Sequence, residues 1–190
     1  MTDTLYVFAR APRLGTVKRR LAAGIGRRAA LCFYRAMLDR TLRRLAAERR
    51  FRTVLAVTPD GARGPWSRGL ARVAQGRGDL GQRMQRLLWR HRRGCAAIVG
   101  ADIPELRADD VARAFRALRA VPACFGPAAD GGYWLVALGP RRPAHPFANV
   151  RWSSPHALAD TLVNFRRHPS ARLRTLHDVD TEADLRACRR

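Results

Sequence analysis

The sequence predicts a three-layer α/β/α fold around a mainly parallel central sheet. Three observations point there. Short apolar runs alternate with helical periodicity along the whole chain, Gly or Pro punctuates most strand exits, and chemically useful polar residues collect at those exits. At 190 residues, 47% of them hydrophobic, the chain suits one domain spanning residues 1–190, with a core that needs neither disulfide nor metal support.

The elements follow in order. "TLYVFAR" (4–10) reads as a buried strand, and helical periodicity runs from Val17 to about Arg49, broken or kinked at Gly24 to Gly26. "RTVLAVT" is a second strand, "ARVAQ" a short third, and "LGQRMQRLLWRHRR" (80–93) a helix. Strand "CAAIVG" leads through the turn "ADIPEL" into helix "ADDVARAFRALRA", whose Asp109 and Asp110 stand in the first turn, where the helix dipole favours negative charge. Strands "ACFGPA" and "GGYWLVAL" come next. A loop then reaches "RWSS", a helix from about Pro155 to Arg167, a strand within "RLRTLHDV", and a terminal helix for which the "TEAD" pattern offers an N-cap at Thr181.

Charge is the loudest compositional signal. Basic residues number 37 against 15 acidic ones, a formal net charge of +22. Lys18 is the single lysine and every other basic residue is arginine, which is a drift of the whole composition. The arginines spread along helix faces and in pairs such as Arg43 with Arg44, Arg49 with Arg50, Arg92 with Arg93, and Arg166 with Arg167, as solvated faces would carry them. No aromatic stacking platform or recognition signature accompanies the charge, so nucleic acid is not the expected partner. Where lysine survives such a drift, a compact ammonium does what a flat guanidinium cannot.

No apolar run reaches membrane-spanning or leader length, so neither membrane nor export is expected and the cytoplasm is. Cys32, Cys95, Cys124 and Cys188 are widely spaced, without a CxxC pair, and read as reduced, mostly buried thiols.

Open α/β sheets bind ligands at the carboxyl ends of their strands. The residues there are "ARAPRLGTVKRR", "QGRGDLGQR", "GADIPE", "PAADGG" and "DVDTEAD", carrying Asp79, Asp102, Asp130, Asp178 and Asp180 among only 15 carboxylates. Singly, Asp178 or Asp180 reads equally as a helix cap and Asp102 as a turn former. Together, cations at one exit facing carboxylates at others point to a nucleotide diphosphate with a divalent metal. Gly15 would admit phosphate close to the backbone, a helix starting near Thr16 would offer free N–H groups, and Lys18 and Arg20 would add charge. Mg²⁺ or Mn²⁺ takes hard oxygen ligands, often one or two carboxylates plus water and phosphate, which suits Asp102 and Asp130. Arg10, Asp79 and Arg83 complete the expected nucleotide-binding set. Gly76, Gly78 and Gly81 also satisfy GxGxxG, but the preceding strand is short and Asp79 would stand where pyrophosphate should bind, so a dinucleotide site is not expected.

The stretches "FARAPRLGTVKRRLA", "GDLGQRM", "GADIPEL", "GPAADGGYWLVAL", "VRWSS" and "DVDTEADL" resemble, in order and over nearly the whole chain, the motifs of the DUF2064 family of glycosyltransferases. That family is similar to the glycosyltransferase-A superfamily and to nucleotidyltransferases such as guanylyltransferases. The resemblance implies a nucleotide-diphospho-sugar transferase fold, a nucleotide or nucleotide sugar held by the first βα loop at Gly15, Lys18 and Arg20, and a metal on Asp102 with a second acidic site at Asp130. It also implies a small-molecule acceptor near Gly131 and Gly132, with Tyr133 and Trp134 as pocket wall or plain strand core. Arg19 stands where the family usually has Thr, and Asp102 is one carboxylate where many glycosyltransferases have a DxD pair. Asp130 reads as metal ligand or as general base. Glycosyl transfer, nucleotidyl transfer and non-catalytic nucleotide or polyanion binding all fit these residues.

Overall fold

The computed structural model describes residues 2–67, 69–91 and 93–188, and Arg92 of the paired arginines lies outside them. Seven strands make one sheet: β1 (Thr4–Arg10), β2 (Arg52–Thr58), β3 (Ala71–Ala74), β4 (Ala96–Gly100), β5 (Ala123–Pro127), β6 (Tyr133–Leu138) and β7 (Ser170–Arg172). Their spatial order is β3-β2-β1-β4-β6-β5-β7. Pairing is parallel except at β6, which runs antiparallel to both β4 and β5. Residues 128–132 join β5 to β6 and are too few for a crossover helix, so those strands can only form a hairpin.

Alternation along the strands builds two cores. Leu5 and Val7 of β1, Leu55, and Ala97 and Val99 face one side, where they pack with Leu38, Leu42 and Leu45 of α2 (Arg27–Ala46) and Val111 and Phe115 of α4 (Ala108–Ala117). Tyr6, Val54, Ala56, Ile98 and Val136 face the other, against Met84, Leu87 and Leu88 of α3 (Leu80–Leu88) and Phe165 just beyond α5 (Ala157–Val163). That period of two, with apolar residues on both faces, is why these strands read as continuous apolar runs. The remaining helices are α1 (Arg19–Ile25) and α6 (Glu182–Ala187). The helical stretch breaks at Gly26, whose φ of 85° lets the chain turn between α1 and α2.

Three elements differ from expectation. Helix α3 stops at Leu88 and tightens into a 3₁₀ turn over Trp89–His91. The cause is Arg142, whose guanidinium donates to the carbonyls of Leu88, His91 and Gly94 at 2.8, 2.9 and 2.9 Å and so satisfies the end of the element. Helix α5 is also shorter than its periodicity. The last strand is Ser170–Arg172, after which Leu176 rejoins the edge through a bridge to Ala128. Of the thiols only Cys124 is buried, while Cys32 and Cys188 are exposed, because the first lies on the outer face of α2 and the second just past α6. No helix among the described residues is long and apolar enough to cross a membrane.

Asp110 is buried at 5% exposure, accepts from the Arg107 backbone N–H at 2.9 Å, and takes a bidentate pair from Arg174 at 2.9 and 2.8 Å. Burial alone would raise its carboxyl; the Arg174 and Arg107 hydrogen bonds, with the Arg174 and Arg113 charges, outweigh that and hold it below the usual range. Replacing Asp110 by Ala is therefore expected to lower stability at neutral pH by about 2 kcal/mol, through the lost pair with Arg174 and the lost cap. Since the folded-state value is lowered, this stabilisation is present above about pH 4 and lost as pH falls through the folded value. Urea titrations at pH 7 and in acid check this: the gap between wild type and variant should close at low pH.

Candidate active site

The carboxyl ends of β1 and β4, the β5–β6 hairpin and the segment before α6 surround one open cleft with two connected compartments. A cationic compartment of about 530 Å³ is lined by Arg10, Thr16, Val17, Lys18, Arg19 and Tyr34, among others. A larger one of about 570 Å³ is lined by Asp130, Tyr133, Trp134, Trp152, Leu80 and Met84, among others. Phe8, Arg20, Asp102, Ser153 and Asp180 line both and mark the junction.

Lys18 lines the cationic compartment and reaches that junction with its ammonium. It precedes α1 in a left-handed conformation, φ 46° and ψ 50°, which a non-glycine residue holds only when its surroundings fix it. The fixing groups are on hand: Nζ donates to Asp180 Oδ1 at 2.6 Å and to Asp102 Oδ2 at 3.1 Å, with the lysine side chain only 4% exposed. Burial pulls the ammonium down, but the Asp102 and Asp180 carboxylates raise it further, so it stays charged. The loop before it is anchored by Tyr34, whose hydroxyl accepts from the Arg10 N–H at 3.1 Å and donates to the Arg10 carbonyl at 2.9 Å. Burial pushes that hydroxyl up to about 12.

The other expected residues divide. Arg10 and Arg20 line the cleft, both exposed, with Arg20 Nη1 4.0 Å from Asp180 Oδ2. Asp102 and Asp130 also line it; Asp130 turns back to accept the Gly132 N–H at 2.8 Å and makes no contact with Lys18. Gly15, at φ 74°, belongs to the turn Arg13–Thr16 and lines neither compartment; it borders an adjoining groove that shares Val17 and Arg19 with the cationic one. The helix starts at Arg19, not near Thr16, and the Thr16 N–H is spent on the Arg13 carbonyl at 3.2 Å. Asp79 and Arg83 are not among the cleft-lining residues. Asp79 caps α3 in a reciprocal pair with Gln82, at 2.8 and 3.0 Å, and Arg83 Nε holds the Gly78 carbonyl at 2.8 Å. From that helix the cleft takes Leu80 and Met84 instead.

Two aspartates that the sequence left open between helix cap and site complete the arrangement. Asp180 shares the Lys18 ammonium, and Asp178 lines the larger compartment, its carboxyl raised first by burial and then by the charges of Asp180, Asp130 and Asp102. The signal was the "DVD" exit of the last strand-like segment. Trp134 proves both core and wall: it is 3% exposed, donates from Nε1 to the Arg174 carbonyl at 3.2 Å, and still borders the cleft.

Gly131 does not make room for an acceptor. At φ 86° a side chain there would be strained, and its Cβ would run into the backbone carbonyl of Pro155, which ties the Asp130 hairpin to the 152–155 wall. Gly131→Ala is accordingly expected to cost about 2–3 kcal/mol. Gly132→Ala, which meets only the Asp130 carboxylate at 3.0 Å, should cost less than about 1 kcal/mol by the same reasoning. Thermal unfolding of the two variants checks the difference.

A divalent cation fits the donor set. Four carboxylates border the larger compartment, all hard oxygen donors, and two of them share one buried ammonium. Among the described residues no three His, Cys, Asp or Glu side chains stand close enough to hold a metal by themselves. A cation here would thus take one or two carboxylates and fill its shell with water and ligand oxygens, as Mg²⁺ and Mn²⁺ commonly do.

The mainly parallel sheet with its helices is a nucleotide-diphospho-sugar transferase fold. A crystal structure of a candidate nucleotide-diphospho-sugar transferase from Desulfovibrio desulfuricans G20 superposes with a TM-score of 0.91 at 27% identity, over 100% of this chain and 87% of that one. The chain belongs to the DUF2064 family, described as uncharacterized proteins conserved in bacteria, whose profile matches residues 41–154. Two more distant structures share the fold. CMP:2-keto-3-deoxy-manno-octonic acid synthetase, solved with CTP, matches at TM-score 0.62 and 11% identity over 100% of this chain and 97% of that one. Rv0371c of Mycobacterium tuberculosis H37Rv, solved with manganese, matches at 0.55 and 18% over 98% and 97%. No curated protein matches the sequence.

Proposed function

We propose that the protein transfers a sugar from a nucleotide-diphospho-sugar to a small hydroxyl acceptor, assisted by Mg²⁺ or Mn²⁺. The observation that carries this reading is the Lys18 ammonium held between Asp102 and Asp180 where a cationic and an acid-lined compartment meet. Arg10, Lys18 and Arg20 bind the diphosphate. Asp102 holds the cation with Asp180 or Asp130, and the convergence of Asp102 and Asp180 on one ammonium favours Asp180. When bound, the metal neutralises charge on the leaving phosphate.

Asp130, on the acceptor side, then takes the hydroxyl proton. The acceptor oxygen bonds to the sugar carbon, the bond from that carbon to phosphate oxygen breaks, and nucleoside diphosphate leaves. Lys18 and the arginines stabilise the charge it gathers.

Nucleotidyl transfer is the second reading, supported by the fold shared with a CTP-bound synthetase and by the single aspartate at Asp102. Incubation with the common nucleoside triphosphates and nucleotide sugars, plus a mixed acceptor pool, separates the two. Nucleoside diphosphate as product supports glycosyl transfer, and pyrophosphate replaces it with nucleotidyl transfer. Nucleotide binding that ignores metal, falls steeply with salt and yields neither product would overturn both.

A further inference from the structure

The larger compartment is unlike the rest of this protein. In a chain with 37 basic residues, Arg20 at the junction is, among the described residues, the only basic one lining it. Its wall is made by Phe8, Leu80, Met84, Tyr133, Trp134 and Trp152. Leu80 is 43% exposed, one of three large apolar side chains left open to solvent among the described residues, and it faces this cleft. Trp152 is half-buried, set edge-on to Tyr133 with ring centroids 6.4 Å apart, and its own ring packs where a Cβ on Gly81 would otherwise stand. The carboxylates of Asp130 and Asp178 line the same compartment.

An apolar, aromatic wall gains by covering apolar ligand surface, and aromatic rings favour a flat partner. The four carboxylates of this compartment repel a second anion, and Arg20, the basic side chain at its edge, is given to the diphosphate in this reading. The cationic compartment has the opposite character and suits phosphate. We infer that the larger compartment selects an acceptor with a flat apolar body and no anionic group, a neutral aryl alcohol in preference to a phosphorylated sugar, a carboxylate or a polyol. This rests on the transferase reading of the cleft, and it assigns the rings to the acceptor, not to the nucleotide base.

The experiment is ligand-observed saturation-transfer NMR on the full chain with three probes at equal concentration: benzyl alcohol, benzyl phosphate and glycerol. Benzyl alcohol should give a signal at least five times that of either other probe. Two variants localise it. Trp152→Ser removes a ring, and Leu80→Asp places a carboxylate at the first residue of α3, an exposed position where a helix tolerates acid, so it keeps the fold even if the first variant does not. Each folded variant should lose the benzyl alcohol signal at least threefold.

A stronger signal from benzyl phosphate or glycerol, or an undiminished signal in Leu80→Asp, would overturn the inference. So would displacement of benzyl alcohol by adenosine, guanosine, cytidine or uridine, since the rings would then hold the base. Calorimetry with the nucleoside diphosphates ADP, GDP, CDP and UDP, run separately, tests the transferase reading itself. Diphosphate binding with the wrong probe preference sinks the acceptor assignment alone, and no diphosphate binding sinks the reading beneath it.

Discussion

Asp102→Asn is expected to reduce metal-dependent turnover by about 10²–10³-fold or more, the loss seen when one preorganised electrostatic contact to a transition state is removed. The substitution is nearly isosteric and removes one ligand charge at the junction of the two compartments. The fold should survive, because the side chain is 38% exposed and Lys18 keeps its 2.6 Å contact to Asp180. Unchanged thermal unfolding would confirm that the loss is local. Nucleotide binding measured without metal should change little, while the increment added by Mn²⁺ should vanish. Full activity with Mg²⁺ or Mn²⁺ in the variant would remove Asp102 from the site.

Lys18→Ala is expected to weaken nucleotide binding by ~1.5–3 kcal/mol, the range for a hydrogen bond to a charged group. Two effects add. The phosphate loses its ammonium, and Asp102 with Asp180 are left facing the ligand uncompensated, where like charge repels it. Lys18→Arg should fail almost as badly despite keeping the charge. A planar fork does not fit a 4% exposed position whose ammonium meets two carboxylates from a left-handed backbone. Calorimetric titration checks both variants; wild-type affinity in either contradicts the assignment.

The lone lysine was legible because composition isolated it: in a chain that writes arginine everywhere else, one ammonium needed a reason, and Asp102 and Asp180 supply it at 3.1 and 2.6 Å. The strands were legible for a similarly physical reason, since helices cover both faces of the sheet and the runs are apolar throughout. What stayed hidden depended on contacts distant in sequence. Asp180 pairs with a residue 162 positions away, and spacing alone left it indistinguishable from a cap of α6. The cap is Thr181, as the "TEAD" pattern offered, bonded reciprocally with Asp184.

Asp79 and Arg83 are the opposite case, expected at the site but not lining the cleft. Their loop leaves a strand at the ligand-binding end, but local hydrogen bonds to Gln82 and Gly78 claim both side chains. Gly15 likewise sits in the expected loop, and its positive φ serves the turn. Termini of elements were the least readable part, because an arginine 51 positions beyond His91, Arg142, helps decide where α3 ends.

The central claim is that the first loop and the later aspartates hold one phosphorylated ligand through a shared cation. Its most direct measurement is the anomalous scattering of Mn²⁺ in crystals soaked with whichever of ADP, GDP, CDP or UDP binds. One manganese peak is expected in contact with the Asp102 carboxylate and with the ligand's phosphate oxygens, with Lys18 alongside. Diphosphate bound in the cleft with no manganese against Asp102, or manganese and nucleotide in separate places, would contradict it.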